Sequence, residues 1–233
     1  MRVRELWRYP VKSLQGERVD SALVGPEGVE GDRRFAIFDL ETGFGLTARR
    51  MPELLRASAR WRGSSVAITL PDGTVASDDA ALSSWLGRPV ALRSSDEVLE
   101  RRYENPLDVE NEGDWEAFDG ARGSFRDSAQ TAVSLVSLGT LDGWDGRRFR
   151  SNILLDGSGE DALVGSRVAV GGAVLDVVKR VGRCVMVTRP QPGGIDKDLT
   201  VLRTVHRDRG GRLAIGAVVV SAGIITVGDE LLL

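Results

Sequence analysis

The sequence is short of the side chains that most often gather metals: its 233 residues include one cysteine, Cys184, and one histidine, His206. A single cysteine excludes a disulfide within the chain and any thiolate-held iron–sulfur cluster, which takes about four cysteines. A single histidine excludes His-rich zinc sites and leaves His206 as the only candidate base for a Ser-His-Asp triad, with nothing local to support one. Long apolar runs are missing as well. No stretch approaches the roughly 18 apolar residues that a spanning helix needs. The opening run MRVRELWRYPVKSLQG lacks the apolar core and small-residue cleavage site of a secretory signal. Neither GxGxxG nor GxxxxGKS/T occurs, so dinucleotide and nucleoside-triphosphate binding have no basis in sequence. Excess basic charge is also absent: 31 Lys and Arg against 34 Asp and Glu give a formal charge of -3, with no general attraction to a phosphate backbone. The expectation is a soluble, cytoplasmic protein with no nucleic-acid and no membrane partner. Hydrolysis by a carboxylate pair stays open, because 34 acidic residues single out no pair.

What is present reads as mainly β with a few short helices. The run from Ser65 to Leu70 alternates and meets the turn signal Pro71-Asp72-Gly73. Residues 167–180 form the clearest hairpin: Val168 and Val170, then Gly171-Gly172 for a tight turn, then Leu175 and Val177 in the same period of two. A second pair of strands is expected over residues 213–220 and 224–232. Asp79–Leu86 is the best helix, with Ser77 or Asp78 as N-cap and Gly87 to stop it, and a weaker one follows Ser137 and ends before Gly143. Between Glu100 and Gly123 the pattern turns polar and aperiodic, with Arg101, Arg102, Tyr103, Pro106, Glu110, Glu112, Asp114 and Glu116, and reads as a long surface loop or linker that could border a site.

The chemistry concentrates in Lys179-Arg180-Val181-Gly182-Arg183-Cys184-Val185-Met186. It follows the second hairpin strand, so Cys184 falls at a strand end or in the next loop. Three cations within five residues favour the thiolate, the form that binds soft metals, and suit an anionic ligand. Taken alone, however, one cysteine in a β-rich chain reads more readily as a small buried side chain.

Company changes that balance. Arg183-Cys184-Val185-Met186 resembles the signature of the MOSC domain, named for the C-terminal domain of molybdenum-cofactor sulfurase. Phe149-Arg150-Ser151-Asn152-Ile153 resembles the family's FRPNI segment, with Ser151 where proline is usual. Asp198-Leu199 with Leu202-Arg203-Thr204, and the run of residues 223–229, are similar to its later segments. Near the start, Tyr9-Pro10-Val11-Lys12-Ser13 resembles YPVKS, Gly31-Asp32-Arg33-Arg34-Phe35 resembles GDRxF/W, and Thr47-Ala48-Arg49 with Pro52 resembles TAR…P. These stand in the family's order along nearly the whole chain.

The resemblance implies a MOSC N-terminal β-barrel-like domain over residues 1–98, a linker or long loop over 99–124, and a MOSC β-barrel domain over 125–233. It implies Mo-molybdopterin as cofactor, Cys184 as the metal ligand and catalytic residue, and Lys12, Ser13, Arg33, Arg150, Asn152 and Arg183 as cofactor-binding residues. Arg49 and Thr188 are placed near the site, Asp127 is read as structural, and His206 as a surface or supporting residue. The implied activity is that of the amidoxime-reducing components: reduction of small N-hydroxylated compounds, with no requirement for pyridoxal phosphate. Electrons are expected from a separate donor of ferredoxin, flavodoxin or flavin reductase type. The alternative is a non-catalytic cofactor-binding or sulfur-carrier protein.

Overall fold

The computed structural model describes residues 1–98, 100–107 and 113–233. Glu110 and Glu112 of the polar stretch, and residue 99 where the linker was expected to begin, lie outside the described residues. The chain is mainly β with three α-helices among the described residues.

The largest sheet has eight strands. In spatial order they are Leu231–Leu232, Arg167–Val170, Ala173–Gly182, Arg212–Ser221, Val133–Ser137, Ile153–Leu155, Val3–Arg8 and Glu17–Val19. Only the Val133–Ser137 and Ile153–Leu155 pair is parallel. The hairpin at Gly171-Gly172 forms as its alternation predicts, with Ala173, Leu175 and Val177 buried on one side. Gly171 sits at φ 54, and a Cβ there would collide with the Asp229 carboxylate.

The first strand of the chain is built into the C-terminal half. Val3–Arg8 runs antiparallel to Ile153–Leu155, and Gly223–Thr226 pairs with Ser21–Gly25. One core therefore mixes Val3, Leu6 and Val24 with Leu135, Ile153, Leu175 and Ile215. A second core belongs to the N-terminal half and includes Val11, Leu14, Ile37, Leu54 and Val90.

Several expectations need correction. The sheets are not closed barrels: the outer strands Leu231–Leu232 and Glu17–Val19 do not pair, although the start of the chain meets the segment before Leu231 through the bridge Arg2–Glu230 and backbone hydrogen bonds such as Val3 N–H to the Asp229 carbonyl at 2.8 Å. Three register shifts interrupt the ladder between Ala173–Gly182 and Arg212–Ser221 and bend it locally. Residues 213–220 and 224–232 are not a hairpin. The second run breaks into Gly223–Thr226 and Leu231–Leu232, which pair with different partners. The aperiodic polar stretch contains a hairpin, Arg102–Pro106 with Trp115–Asp119, in which Tyr103 is buried and faces Phe118.

Among the helices, Asp79–Leu86 is capped by the Asp78 carboxylate, which accepts from the Ala81 N–H, and ends at Gly87 with φ 66. The weaker helix is Leu138–Leu141, capped by Ser137. The longest, Leu199–Arg209, was not expected. Its signals are an Asp198 cap, the buried stripe Val201, Leu202 and Val205, and Gly210 at φ 60.

Candidate functional site

A cavity of about 300 Å³ opens between the N-terminal and C-terminal halves. All seven residues named from the resemblance, Lys12, Ser13, Arg33, Arg150, Asn152, Arg183 and Cys184, line it. Arg49 and Asp127 line it too. Thr188 does not: it is buried, and its hydroxyl donates to the Val185 carbonyl at 2.8 Å. His206 is exposed on the last helix and lies outside the lining.

Local folding puts these side chains in place. The Ala173–Gly182 strand ends two residues before Cys184, which is extended (φ -121, ψ -179) and half-buried ahead of the short 3-10 turn Val185–Thr188. Ser13, Arg33 and Arg150 all adopt positive φ, at 68, 51 and 52. That conformation costs an L residue about 1–2 kcal/mol, and it persists where the surroundings over-determine it, as at many functional sites. Here they do: Arg33 N–H donates to the Tyr9 carbonyl at 2.7 Å, the Phe125 N–H donates to the Arg33 carbonyl at 2.7 Å, and Arg33 Nη2 donates to the Arg150 carbonyl at 3.1 Å.

The charge lining the cavity is one-sided. Lys12, Arg33, Arg49, Arg126, Arg148, Arg150, Lys179 and Arg183 are cationic, against the single carboxylate of Asp127. Asp127 receives Lys12 Nζ at 2.5 Å and Arg49 Nη2 at 2.8 Å. Its tip is 55% exposed to the cavity. Burial by the surrounding walls would raise its pKa, but the Lys12 and Arg49 charges outweigh this and hold it well below the usual carboxylate range. Lys12 is 6% exposed; burial lowers its pKa, with Asp127 opposing.

Not every lining group is free to meet a ligand. Lys12 Nζ is also spent on the Phe125 carbonyl at 3.0 Å and lies 4.7 Å from the Tyr103 ring centre. The Asn152 amide ties strands together: its Oδ1 accepts from the Ser134 N–H at 3.2 Å and its Nδ2 donates to the Trp7 carbonyl at 3.4 Å. Ser13 Oγ accepts from the Ala48 N–H at 3.0 Å. These residues shape the cavity.

The arginines differ. Arg150 donates to the Leu14 carbonyl through Nη1 and stacks 4.3 Å from the Tyr9 ring centre, yet its buried Nη2 has no partner among the described residues. Arg183 donates to the Leu213 and Phe149 carbonyls at 2.7 and 2.8 Å and leaves Nη2 in the same state. Arg49 leaves both Nε and Nη1. Burial, followed for Arg150 by the neighbouring Arg33 charge, brings the Arg150 and Arg183 pKa values down to about 10; proximity to Cys184 opposes this at Arg183. For Arg49, burial is outweighed by Asp127 and then by Cys184, so its pKa rises. Arg49 thus links Asp127 electrostatically to the cysteine. Buried donors of this kind call for an acceptor, and an anion satisfies several at once.

Sequence reasoning left out Arg126, Arg148 and Ser134. Arg148 stands one residue before the FRSNI-like run, and Arg126 one residue before Asp127 in the Phe125-Arg126-Asp127 element, so both had a positional signal.

The fold and the cavity define a β-rich protein with one cysteine in a cation-lined cleft between two halves. Two family models match the chain: the MOSC N-terminal beta barrel domain over residues 1–95 and the MOSC domain over residues 126–232. The chain belongs to the MOSC family. Residues 96–125 fall between the two matches. Among solved structures, the YUAD protein from Bacillus subtilis is 13% identical, with 99% of this chain and 93% of that chain covered at a TM-score of 0.45. YiiM from Geobacillus stearothermophilus is 16% identical, with 58% of this chain and 73% of that chain covered at a TM-score of 0.37. No curated protein matches the chain.

Proposed function

We propose that this chain holds the molybdenum cofactor, Mo-molybdopterin, with Cys184 as its protein ligand to the metal. We propose further that it is an oxidoreductase acting on small N-hydroxylated compounds. One observation carries the reading: Cys184 shares a cavity with buried arginine N–H groups that have no partner among the described residues.

The donor set fits the group. A thiolate is a soft ligand of the kind thiophilic metals take. Among the described residues no three His, Cys, Asp or Glu side chains gather to complete a metal site, which suits a cofactor that brings its own sulfur ligands. The open donors of Arg49, Arg150 and Arg183 suit the cofactor's terminal phosphate, since guanidinium forks pair with such oxyanions. A cavity of about 300 Å³ lies at the lower end of the range for small-molecule sites.

When bound, the cofactor supplies two-electron redox chemistry. The chain's own part is to bind and orient. Arg150 and Arg33 both lie against the Tyr9 ring, and Lys12 and Arg49 fix Asp127 as a carboxylate at the cavity wall. Electrons come, in this reading, from a separate donor of ferredoxin, flavodoxin or flavin reductase type.

The test is elemental analysis of protein from a host shown to make the cofactor, wild type beside Cys184→Ser. Stoichiometric molybdenum that disappears in the variant supports the ligand assignment; equal, near-zero metal in both rejects it. Reduction of an N-hydroxylated compound by the loaded protein, with reduced viologen as donor, then tests turnover. Full molybdenum without reduction would assign the chain to cofactor or sulfur carriage.

A further inference from the structure

The paired strands Arg102–Pro106 and Trp115–Asp119 lie between the two family segments and line none of the cavity, yet their rings back two of the cavity's cations. Tyr103 is 1% exposed. Its ring is wedged between Gly45 and Gly120, where a Cβ on either glycine would collide with it. The same two glycines donate backbone hydrogen bonds to the hairpin and its approach, Gly45 to the Arg102 carbonyl at 2.8 Å and Gly120 to the Arg101 carbonyl at 2.6 Å. Phe118 packs against the Tyr103 ring at 5.7 Å between centres, and Phe38 at 6.5 Å. The ring cannot shift sideways without moving backbone.

Two cavity cations rest on this wall. Lys12 Nζ lies 4.7 Å from the Tyr103 ring centre, and the Arg49 guanidinium lies 5.6 Å from that of Phe118. Both cations then converge on Asp127 from its two oxygens. The negative face of an aromatic ring attracts a cation, and more strongly when both are away from water. The ring thus favours one position for an ammonium that has two further partners, and the shared carboxylate passes that position on to Arg49.

We propose that Tyr103 is a positioning residue: its clamped ring fixes Lys12 against Asp127, and through Asp127 sets Arg49 beside Cys184. The potential at the sulfur is then set from behind the cavity by two paired strands that do not line it. The inference goes beyond the cofactor reading and stands whatever group Cys184 holds.

Alkylation of Cys184 tests it, because the chain has no other cysteine. Rates are measured with iodoacetate, which is anionic, and iodoacetamide, which is neutral, on the full chain. Both reagents need the thiolate, so the thiolate fraction cancels in the ratio and the local potential remains. Tyr103→Leu is expected to lower the iodoacetate-to-iodoacetamide ratio by about threefold or more, as loss of a focused positive field requires. Tyr103→Phe keeps the ring face and is expected to keep the wild-type ratio. Phe118→Leu is expected to lower the ratio in the same direction and decides alone if Tyr103→Leu does not fold. A folded Tyr103→Leu protein with the wild-type ratio overturns the proposal, as does a Tyr103→Phe protein that falls as far as Tyr103→Leu. No molybdenum enters this measurement, so its failure leaves the metal analysis untouched, and the reverse also holds.

Discussion

Arg49 and Asp127 meet at 2.8 Å, Nη2 to Oδ2, at the point where the two halves of the chain face one cavity. Arg49 comes from the loop after Phe35–Asp39, whereas Asp127 precedes Val133–Ser137. The pair, with Lys12 on the other carboxylate oxygen, couples the halves electrostatically.

That coupling has a pH signature. The folded-state pKa of Asp127 is depressed, so its contribution to stability is present above its unfolded value of about 3.9 and is lost as pH falls toward the folded one. Asp127→Asn should therefore unfold at lower temperature than wild type above about pH 5, with the gap narrowing below about pH 4. A gap that stays constant down to pH 2 would show that the charge is not the source. Thermal melts at several pH values decide it.

Cys184 is half-buried and makes no cap hydrogen bond with its side chain. Cys184→Ser should change unfolding free energy in urea by less than about 1 kcal/mol, because serine keeps the size and a polar atom at a half-buried position. Metal loss in that variant then reports the ligand and not misfolding.

Arg150 uses one guanidinium nitrogen on the Leu14 carbonyl, lays its plane over Tyr9, and leaves another nitrogen open to an acceptor. Arg150→Lys keeps the charge but not the fork. We expect a loss of about 1–2 kcal/mol in stability from the missing hydrogen bond and stacking, together with lower cofactor occupancy. Wild-type occupancy in a folded Arg150→Lys protein would remove Arg150 from the binding set.

The Tyr103 hydroxyl is buried without a hydrogen-bond partner among the described residues, and burial raises its pKa beyond the usual phenol range. Leaving such a group unpaired costs about 1–3 kcal/mol. Tyr103→Phe should therefore melt at or above the wild-type temperature. A clear drop by calorimetry would mean the hydroxyl has a role in the fold.

Gly171 offers a backbone check. At φ 54 and against Asp229, an alanine is both strained and crowded. Gly171→Ala should cost more than about 1 kcal/mol, read from the shift in the urea midpoint.

Much of this was legible in the sequence where local chemistry decides the outcome. The Gly171-Gly172 turn, the Asp78 cap and the Gly87 stop each rest on conformational preferences of single residues. Pairing partners were not legible, because alternation marks a strand without naming its neighbour. Leu213 and Ile224 both read as strand residues, but their strands pair in different sheets. Helix Leu199–Arg209 carried its cap and stripe in plain view, hidden by reading the same residues as motif fragments. For the site, ordered motifs brought Lys12, Arg33, Arg150, Asn152, Arg183 and Cys184 to one cavity. They did not reveal that Lys12 and Asn152 spend their polar atoms internally, since this depends on Phe125, Asp127, Ser134 and Trp7 arriving from other segments. Nor did they show the hairpin behind Lys12, whose single buried tyrosine sits in a run of charges.

The pairing of Ser21–Gly25 with Gly223–Thr226 has a consequence for how the chain is made. A ribosome releases the N-terminal segment some two hundred residues before its strand partner exists. During that interval Leu23 and Val24 have only the short strand Gly28–Val29 beside them, and Val3–Arg8, paired with Glu17–Val19 on one edge, waits for Ile153–Leu155 on the other. Closing loops of that length is slow, and unpaired apolar strands are exposed to other chains meanwhile. The nascent protein is therefore most vulnerable to aggregation before its last strands emerge, and cutting it between its family segments would leave both pieces with bare strand edges.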